Sequence, residues 1–252
     1  MKGKSASVLT TLGGALLAST SLATAADVTP QRLLNPEPNN WLMNHRTYDG
    51  QRFSPLAQIT KDNVRNLRLA YAVPLGGSAG NEWLEATPLV EDGFLYITDA
   101  WGVLYKIDGR SGDVGRIVWR MDPKQERPAT NRGAALWGNL VISPANGPAR
   151  IVATDKETGK VVWETNMVMD QPEVRITAAP LALKDKIIVG ASGGDSGVRD
   201  WVAGLASGAD RIALVAQNFC NRTASRWIKP TPRASSGYCA SAAQTACRNG
   251  LR

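Results

Sequence analysis

The chain has 252 residues, of which 43% are apolar, so it can hold one sizeable domain with an ordinary globular core. A net charge of +7 would by itself suggest a nucleic-acid or acidic-membrane partner. However, no Asp or Glu follows Asp210, and the basic residues beyond it account for the whole excess. Residues 1–210 therefore carry no net charge, and we expect no nucleic-acid partner.

The first residues are typical of a secretory signal peptide. Lys2 and Lys4 precede an apolar run over 8–22, and Ala23-Thr24-Ala25 offers a small-x-small cleavage site. We expect residues 1–25 to be the signal, with cleavage after Ala25 or Ala26; an uncleaved anchor helix is the alternative. No other segment is long and apolar enough to span a bilayer. The expected location is the periplasm.

Residues 26–85 read as an N-terminal capping segment with a first strand. Thr60 has the character of a helix N-cap, with Asn63 three residues later. The apolar positions of that short helix are Val64 and Leu67. It leads into an apolar segment over 69–75.

Residues 86–205 contain an internal sequence repeat, with two full copies and the beginning of a third. The period of the repeat is about 45 residues. Each copy holds short runs rich in Val, Ile and Tyr, separated by turn residues, which predicts a small antiparallel sheet. A unit of this length with about four strands is typical of a propeller blade. The predicted fold class is all-β, a β-propeller of about three blades with a ragged third.

The pattern changes near Leu205. Residues 206–252 are rich in Ser, Arg, Ala and Thr, and they contain all three cysteines. An odd number of cysteines does not suit a disulfide framework in an exported protein. We expect a shift of reading frame near Leu205, so that 206–252 is a non-family tail. The alternative is a genuine basic tail that binds an acidic partner.

Several motifs resemble those of one enzyme family, in that family's order and with its gaps. They are Trp41, Arg52-Phe53-Ser54-Pro55-Leu56, Asn63-Val64, Glu85-Ala86-Thr87-Pro88-Leu89-Val90 and the blade endings Asp-x-x-Ser/Thr-Gly-x-x-x-Trp. Over about residues 35–205 the chain resembles the pyrroloquinoline quinone (PQQ)-dependent alcohol dehydrogenases. The resemblance implies an eight-bladed propeller that holds PQQ near its axis with calcium or a lanthanide. The chain looks like the first third of such a protein.

The resemblance also implies roles for individual residues. It implies cofactor contacts by Glu85, Arg132, Thr177, Ser192, Gly193 and Gly194, and a metal ligand in Asp195, where the family usually has glutamate. PQQ is a planar tricarboxylate, so an arginine fork and hydroxyl donors suit its edge, and glycines let the backbone approach a flat ring. A hard metal ion prefers carboxylate oxygen.

Each of these residues also has an ordinary structural interpretation. Glu85 reads equally as a solvated loop carboxylate, Thr177 as a β-former, and 192–197 as a hairpin loop. The chain lacks the adjacent cysteine pair that many members carry between the positions of Met121 and Asn131. The general base of the family comes from later blades, so the catalytic residue is unknown here.

One further motif points to different chemistry. Gly194-Asp195-Ser196-Gly197 matches the tetrapeptide around the nucleophile of trypsin-like proteases, and His45 is the one histidine of the chain. His45 lacks the surroundings expected of a protease base. We therefore discard a protease, and no phosphate-binding glycine loop occurs.

The expected function is that of a periplasmic quinoprotein that oxidises small-molecule alcohols and passes electrons to a cytochrome c. The chain itself is expected to be an inactive fragment, since one third of a ring cannot close a site. The alternative is a non-catalytic propeller-type binding or assembly scaffold. Such a scaffold does not require Glu85, Arg132 and Asp195, whereas PQQ chemistry does.

Overall fold

Three four-stranded antiparallel sheets follow one another along the chain. The computed structural model describes residues 26–76 and 84–206, together with the backbone of 212–217. The strands of the first sheet are β1 (Leu89–Glu91), β2 (Phe94–Thr98), β3 (Leu104–Asp108) and β4 (Arg116–Met121). Those of the second are β5 (Ala135–Trp137), β6 (Leu140–Ala145), β7 (Arg150–Asp155) and β8 (Val161–Asn166). Those of the third are β9 (Leu181–Ala182), β10 (Lys186–Gly190), β11 (Trp201–Ala206) and β12 (Ile212–Gln217).

The sheets stack face to face, and the middle one is buried on both faces. In β6, Val141 belongs to a core shared with the first sheet, which includes Leu89 and Leu104. The next residue, Ile142, belongs to a core shared with the third sheet, which includes Val189. Successive side chains of a strand point to opposite faces, so one strand serves two cores. The predicted all-β propeller blades are confirmed.

Two strands were not predicted. β5 is only three residues long, and its short run Ala135-Leu136-Trp137 gave no clear strand signal. The third sheet is not ragged, because the backbone of β12 pairs with β11 from Trp201↔Gln217 to Leu205↔Ile212. β12 lies within 206–252, the part assigned to a non-family tail.

The frame shift itself stays a prediction, and the signal segment 1–25 and the three cysteines lie outside the described residues.

Residues 26–50 form a strap that crosses all three sheets. The strap contains the short helix α1 (Pro30–Leu34), which Thr29 caps. Its backbone bridges Val28 to Gly138, after β5, and Trp41 to Val90 in β1. Farther along, the Tyr48 hydroxyl donates to the carbonyl of Ala182 in β9 at 2.7 Å. The strap therefore ties together sheets that are separate in sequence.

The predicted helix near Thr60 is a single 3₁₀ turn over Val64–Asn66. Its start is closed by reciprocal hydrogen bonds. The Thr60 N–H donates to Asn63 Oδ1 at 2.7 Å, and the Asn63 N–H donates to Thr60 Oγ1 at 3.4 Å.

No helix in the described parts of the chain has both the length and the apolar character that crossing a membrane requires.

The apolar segment 69–75 belongs to no strand among the described residues. Val73 and Leu75 instead pack against Val103, Tyr105 and Ile107 on the outer face of the first sheet. Apolar packing against a sheet, rather than a hydrogen-bonded ladder, holds this segment.

A buried ion cluster anchors the strap. Glu91, at the end of β1, is 1% exposed; its carboxylate lies 2.7 Å from Arg32 NH1 and 2.8 Å from the Nζ of the equally buried Lys156. Lys156 Nζ also donates to the carbonyl of Ala26 at 3.0 Å. At the exposed end, a hydrogen bond from Arg32 lowers the pKa of Glu37 to about 2. The cluster joins the strap to the first and second sheets.

We expect Glu91→Gln to lower the free energy of unfolding by about 3–5 kcal/mol, because it leaves the Lys156 charge buried without its counter-ion. Urea denaturation measures this loss. Asp185→Asn is the control, since its exposed pair with Lys186 should contribute less than about 1 kcal/mol. Equal effects of the two substitutions would contradict an anchoring role for Glu91.

Candidate cofactor site

Three of the sequence-predicted residues occupy corresponding places in successive sheets. Glu85 lies just before β1, Arg132 just before β5, and Thr177 just before β9. β5 and β9 are in contact, since neighbouring sheets are stacked. The stacking brings together side chains that are 47 and 45 residues apart in sequence.

Backbone hydrogen bonds link the three segments in a row. The Thr87 N–H donates to the carbonyl of Arg132 at 3.4 Å, and the Arg132 N–H donates to the carbonyl of Thr177 at 3.0 Å. The strap joins them at the same point, where Asn44 Nδ2 donates to the Arg132 carbonyl at 3.0 Å. The spacing of the three site residues is therefore fixed by the main chain.

The side chains present a cation, an acid and a hydroxyl. Arg132 NH2 lies 3.0 Å from Glu85 Oε2, and these side chains are 51% and 35% exposed. An ion pair with that much exposure is weak, so the Arg132 guanidinium remains available to bind a second carboxylate. Thr177 is half-buried, and its hydroxyl has no partner among the described residues.

Two buried asparagines hold this arrangement, and the sequence analysis missed both. Asn131 Oδ1 accepts from the Thr98 hydroxyl at 2.8 Å and from the Gly133 N–H at 3.0 Å. Asn146 pairs with the backbone of Ile176, donating to its carbonyl at 3.1 Å and accepting from its N–H at 2.8 Å. Each asparagine thus fixes the backbone beside a site residue. In the sequence, Asn131 lies two residues before Gly133 and Asn146 directly before Gly147, so their sequence signal was that of a turn.

Gly133 permits the close approach of the first two segments. Its φ is +116°, and a Cβ there would lie 3.2 Å from the Thr87 carbonyl oxygen. Residues with a side chain rarely adopt that backbone conformation. Glycine is therefore required where the Arg132 segment passes the Glu85 segment.

The loop that carries the remaining predicted residues lies beside the Thr177 segment. Ser192 exchanges two backbone hydrogen bonds with Arg175, of 2.7 and 3.1 Å. Gly193 has a φ of +124°, and a short 3₁₀ turn over Gly194–Ser196 follows. A Cβ on Gly194 would meet no protein atom within 4 Å.

Asp195 is exposed on this loop. No group of three or more His, Cys, Asp or Glu side chains that could hold a metal ion occurs among the described residues. Asp195 alone does not make a metal site, because calcium takes six to eight oxygen ligands.

The protease motif has no catalytic geometry. His45 Nδ1 accepts a hydrogen bond from Arg52 Nε at 3.0 Å, so the one histidine of the chain is engaged with a residue just after the strap. Ser196 lies in the 3₁₀ turn, where its N–H donates to the Gly193 carbonyl. A serine nucleophile needs a histidine base within hydrogen-bond reach, and the structure does not provide one.

Comparison with known proteins agrees with this architecture. The PQQ family model described as "Glucose/ethanol/alcohol dehydrogenase, beta-propeller domain" matches residues 41–211. The chain belongs to this PQQ dehydrogenase β-propeller family. It is similar to the quinohemoprotein alcohol dehydrogenase ADH IIB of Pseudomonas putida, with 36% identity over 202 residues, which are 77% of the chain and 28% of that relative. It is also 39% identical over 163 residues to 1-butanol dehydrogenase (cytochrome c) of Thauera butanivorans, covering 61% of the chain and 22% of the relative.

Two solved dehydrogenase structures superpose on the chain. The quinohemoprotein alcohol dehydrogenase ADHIIG of Pseudomonas putida HK5 gives a TM-score of 0.68 at 34% identity, over 77% of the chain and 29% of that structure. A europium-containing methanol dehydrogenase gives 0.65 at 31% identity, over 74% and 34%. The chain spans less than a third of the length of the curated relatives it matches.

We expect Gly133→Ala to lower the free energy of unfolding by about 1–3 kcal/mol, since it forces a Cβ into an unfavourable backbone conformation against the Thr87 carbonyl. Thermal denaturation measures the change. Gly194→Ala is the control and should be nearly neutral for stability, because the space in front of Gly194 contains no protein atom. Equal stability of the two variants would show that the close approach at Gly133 is not required.

Proposed function

We propose that this chain supplies part of the cofactor site of a PQQ-dependent alcohol dehydrogenase. We call this part, which consists of the residues named in the next sentence, the cofactor arc. Glu85, Arg132 and Thr177 bind the acidic edge of PQQ, and Ser192, Gly193 and Gly194 lie against its ring. One observation carries the proposal: three successive sheets each place a polar residue just before their first strand, and hydrogen bonds join these segments in a row. A cofactor-free scaffold does not need such convergence.

The donor set suits a planar polycarboxylate. The guanidinium of Arg132 can hold a carboxylate with two parallel hydrogen bonds, and its present partner Glu85 leaves half of the side chain exposed. The Thr177 hydroxyl is a free donor within the described chain. The unobstructed space at Gly194 allows a flat ring to approach the backbone.

The metal site needs more ligands than the described residues offer. We propose Asp195 as one ligand of calcium or a lanthanide, with the others coming from residues outside those described. The europium in one structural neighbour supports a lanthanide as an option. When bound, PQQ would supply a quinone able to accept hydride, and the metal would act as a Lewis acid. Because the set is incomplete, we expect the 252-residue chain alone not to oxidise alcohols.

The wider biochemical role follows from the relatives. One is named as a 1-butanol dehydrogenase that uses cytochrome c, and others are named as quinone alcohol dehydrogenase subunits. We therefore propose a small alcohol as the substrate of the complete enzyme and a cytochrome c as its electron acceptor. The signal-like start of the sequence supports a periplasmic location.

The test is titration of the purified chain with PQQ in the presence of calcium, followed by tryptophan fluorescence. We expect Arg132→Gln to raise the dissociation constant roughly 10- to 100-fold, the effect of losing a charge-assisted hydrogen bond. Arg175→Gln is a matched control, because Arg175 is an exposed arginine on the same segment as Thr177.

The control variant should bind PQQ like the parent chain. Equal weakening by both substitutions would indicate a general effect of positive charge and contradict a specific role for Arg132. Absence of binding by the parent chain would contradict the proposed cofactor arc.

A further inference from the structure

The loop from Ser192 to Arg199 is attached at both ends to one preceding segment, 170–175. At its start, Ser192 and Arg175 exchange the two backbone hydrogen bonds described above. At its end, the backbone of Arg199 is held by the side chain of Gln171. The loop that carries the candidate cofactor residues is therefore closed by two separate attachments.

The attachment at Gln171 is made by a buried primary amide. Gln171 is 8% exposed. Its Oε1 accepts from the Arg199 N–H at 2.6 Å, and its Nε2 donates to the Arg199 carbonyl at 3.0 Å. The Gln171 amide therefore makes the same two hydrogen bonds to the Arg199 backbone that a residue of a neighbouring β-strand would make.

A second contact between the same segments is weaker. Arg199 NH2 lies 2.9 Å from Asp170 Oδ2, but these side chains are 53% and 62% exposed. Surface ion pairs of this kind contribute little. The amide of Gln171, rather than the ion pair, is the contact that holds the end of the loop.

The loop itself is rich in glycine. Gly193, Gly194 and Gly197 fall within five residues, and Gly193 and Gly197 have φ values of +124° and +75°. Glycine gives up more backbone freedom on ordering than any other residue. Apart from its two attachments, the loop is closed at its base by the Ala191 N–H, which donates to the Trp201 carbonyl at 2.9 Å. Within the loop, the N–H groups of Ser196 and Val198 both donate to the Gly193 carbonyl, at 2.7 and 3.1 Å.

We propose that Gln171 is a positioning residue that fixes Ser192–Asp195 for contact with the cofactor and its metal. The inference rests on the proposed function of this loop. Asp195 has a short side chain, so a carboxylate contact from it tolerates little backbone displacement. Gln171 touches neither ligand; it acts by clamping the backbone at Arg199.

Hydrogen–deuterium exchange and PQQ affinity test the clamp together on the full chain. We expect Gln171→Leu, which keeps the size but loses both hydrogen bonds, to speed exchange in peptides covering 190–201 roughly 5- to 10-fold. The dissociation constant for PQQ should rise by a similar factor. Gln171→Glu keeps the acceptor for the Arg199 N–H and should give an intermediate result. Asp170→Asn, the matched control, should change neither measurement more than about twofold.

The two measurements distinguish failure of the Gln171 clamp from failure of the proposed function. Unchanged exchange in 190–201 would overturn the clamp, as would an equal rise across all three sheets, which indicates general destabilisation. Faster loop exchange with unchanged PQQ affinity would overturn the positioning role. If the parent chain binds no PQQ, the proposed function fails, while exchange in Gln171→Leu and Gln171→Glu still judges whether Gln171 fixes the loop.

Discussion

Face-to-face stacking of neighbouring sheets is the constraint on which the rest of the structure depends. A single four-stranded sheet of this kind cannot bury both faces, so its alternate apolar residues need a sheet on each side. The second sheet shows the result, since Val141 and Ile142 enter different cores. The same stacking aligns the starts of successive first strands, and there Glu85, Arg132 and Thr177 meet. The candidate site is a consequence of how the sheets pack.

Polar contacts fix the positions of the strap and of the backbone segments around the site, which apolar packing alone only brings close together. The buried Glu91–Lys156 pair and Arg32 anchor one end of the strap, and Tyr48 ties its other end to the third sheet. Buried amides have the same role around the site, because Asn131, Asn146 and Gln171 each hold a backbone segment. Amides suit this work since they donate and accept at once. Functional side chains sit on segments whose main chain is fixed in this way.

The sequence predicted features with strong local signals. The alternating runs around Leu104 and Ile151 predicted strands, and the repeat period predicted stacked blades. The resemblance pointed to Glu85, Arg132 and Thr177, which the structure brings together. Sequence reasoning failed where long-range pairing decides the outcome. β12 becomes a strand by pairing with β11, although it lies beyond the point where the repeat pattern in the sequence stops.

The supporting amides could not be predicted, because Asn131, Asn146 and Gln171 resemble ordinary turn residues until the segments they bind are known. The local sequence around a residue carries little information about contacts that the residue makes with a different sheet. Asp195 shows the reverse case, since its motif was noticeable in the sequence while no cluster of metal-ligating side chains surrounds it in the part of the chain that the structure describes.

Hydrogen–deuterium exchange of the purified chain, with and without PQQ and calcium, tests most directly whether three successive sheets share one cofactor arc. A cofactor shared by the three sheets should protect the separate peptides that contain Glu85, Arg132 and Thr177, and the loop at 192–195. The outer strands β4 and β8 should exchange alike in both states. Protection confined to a single sheet, or none in these peptides, would contradict the account.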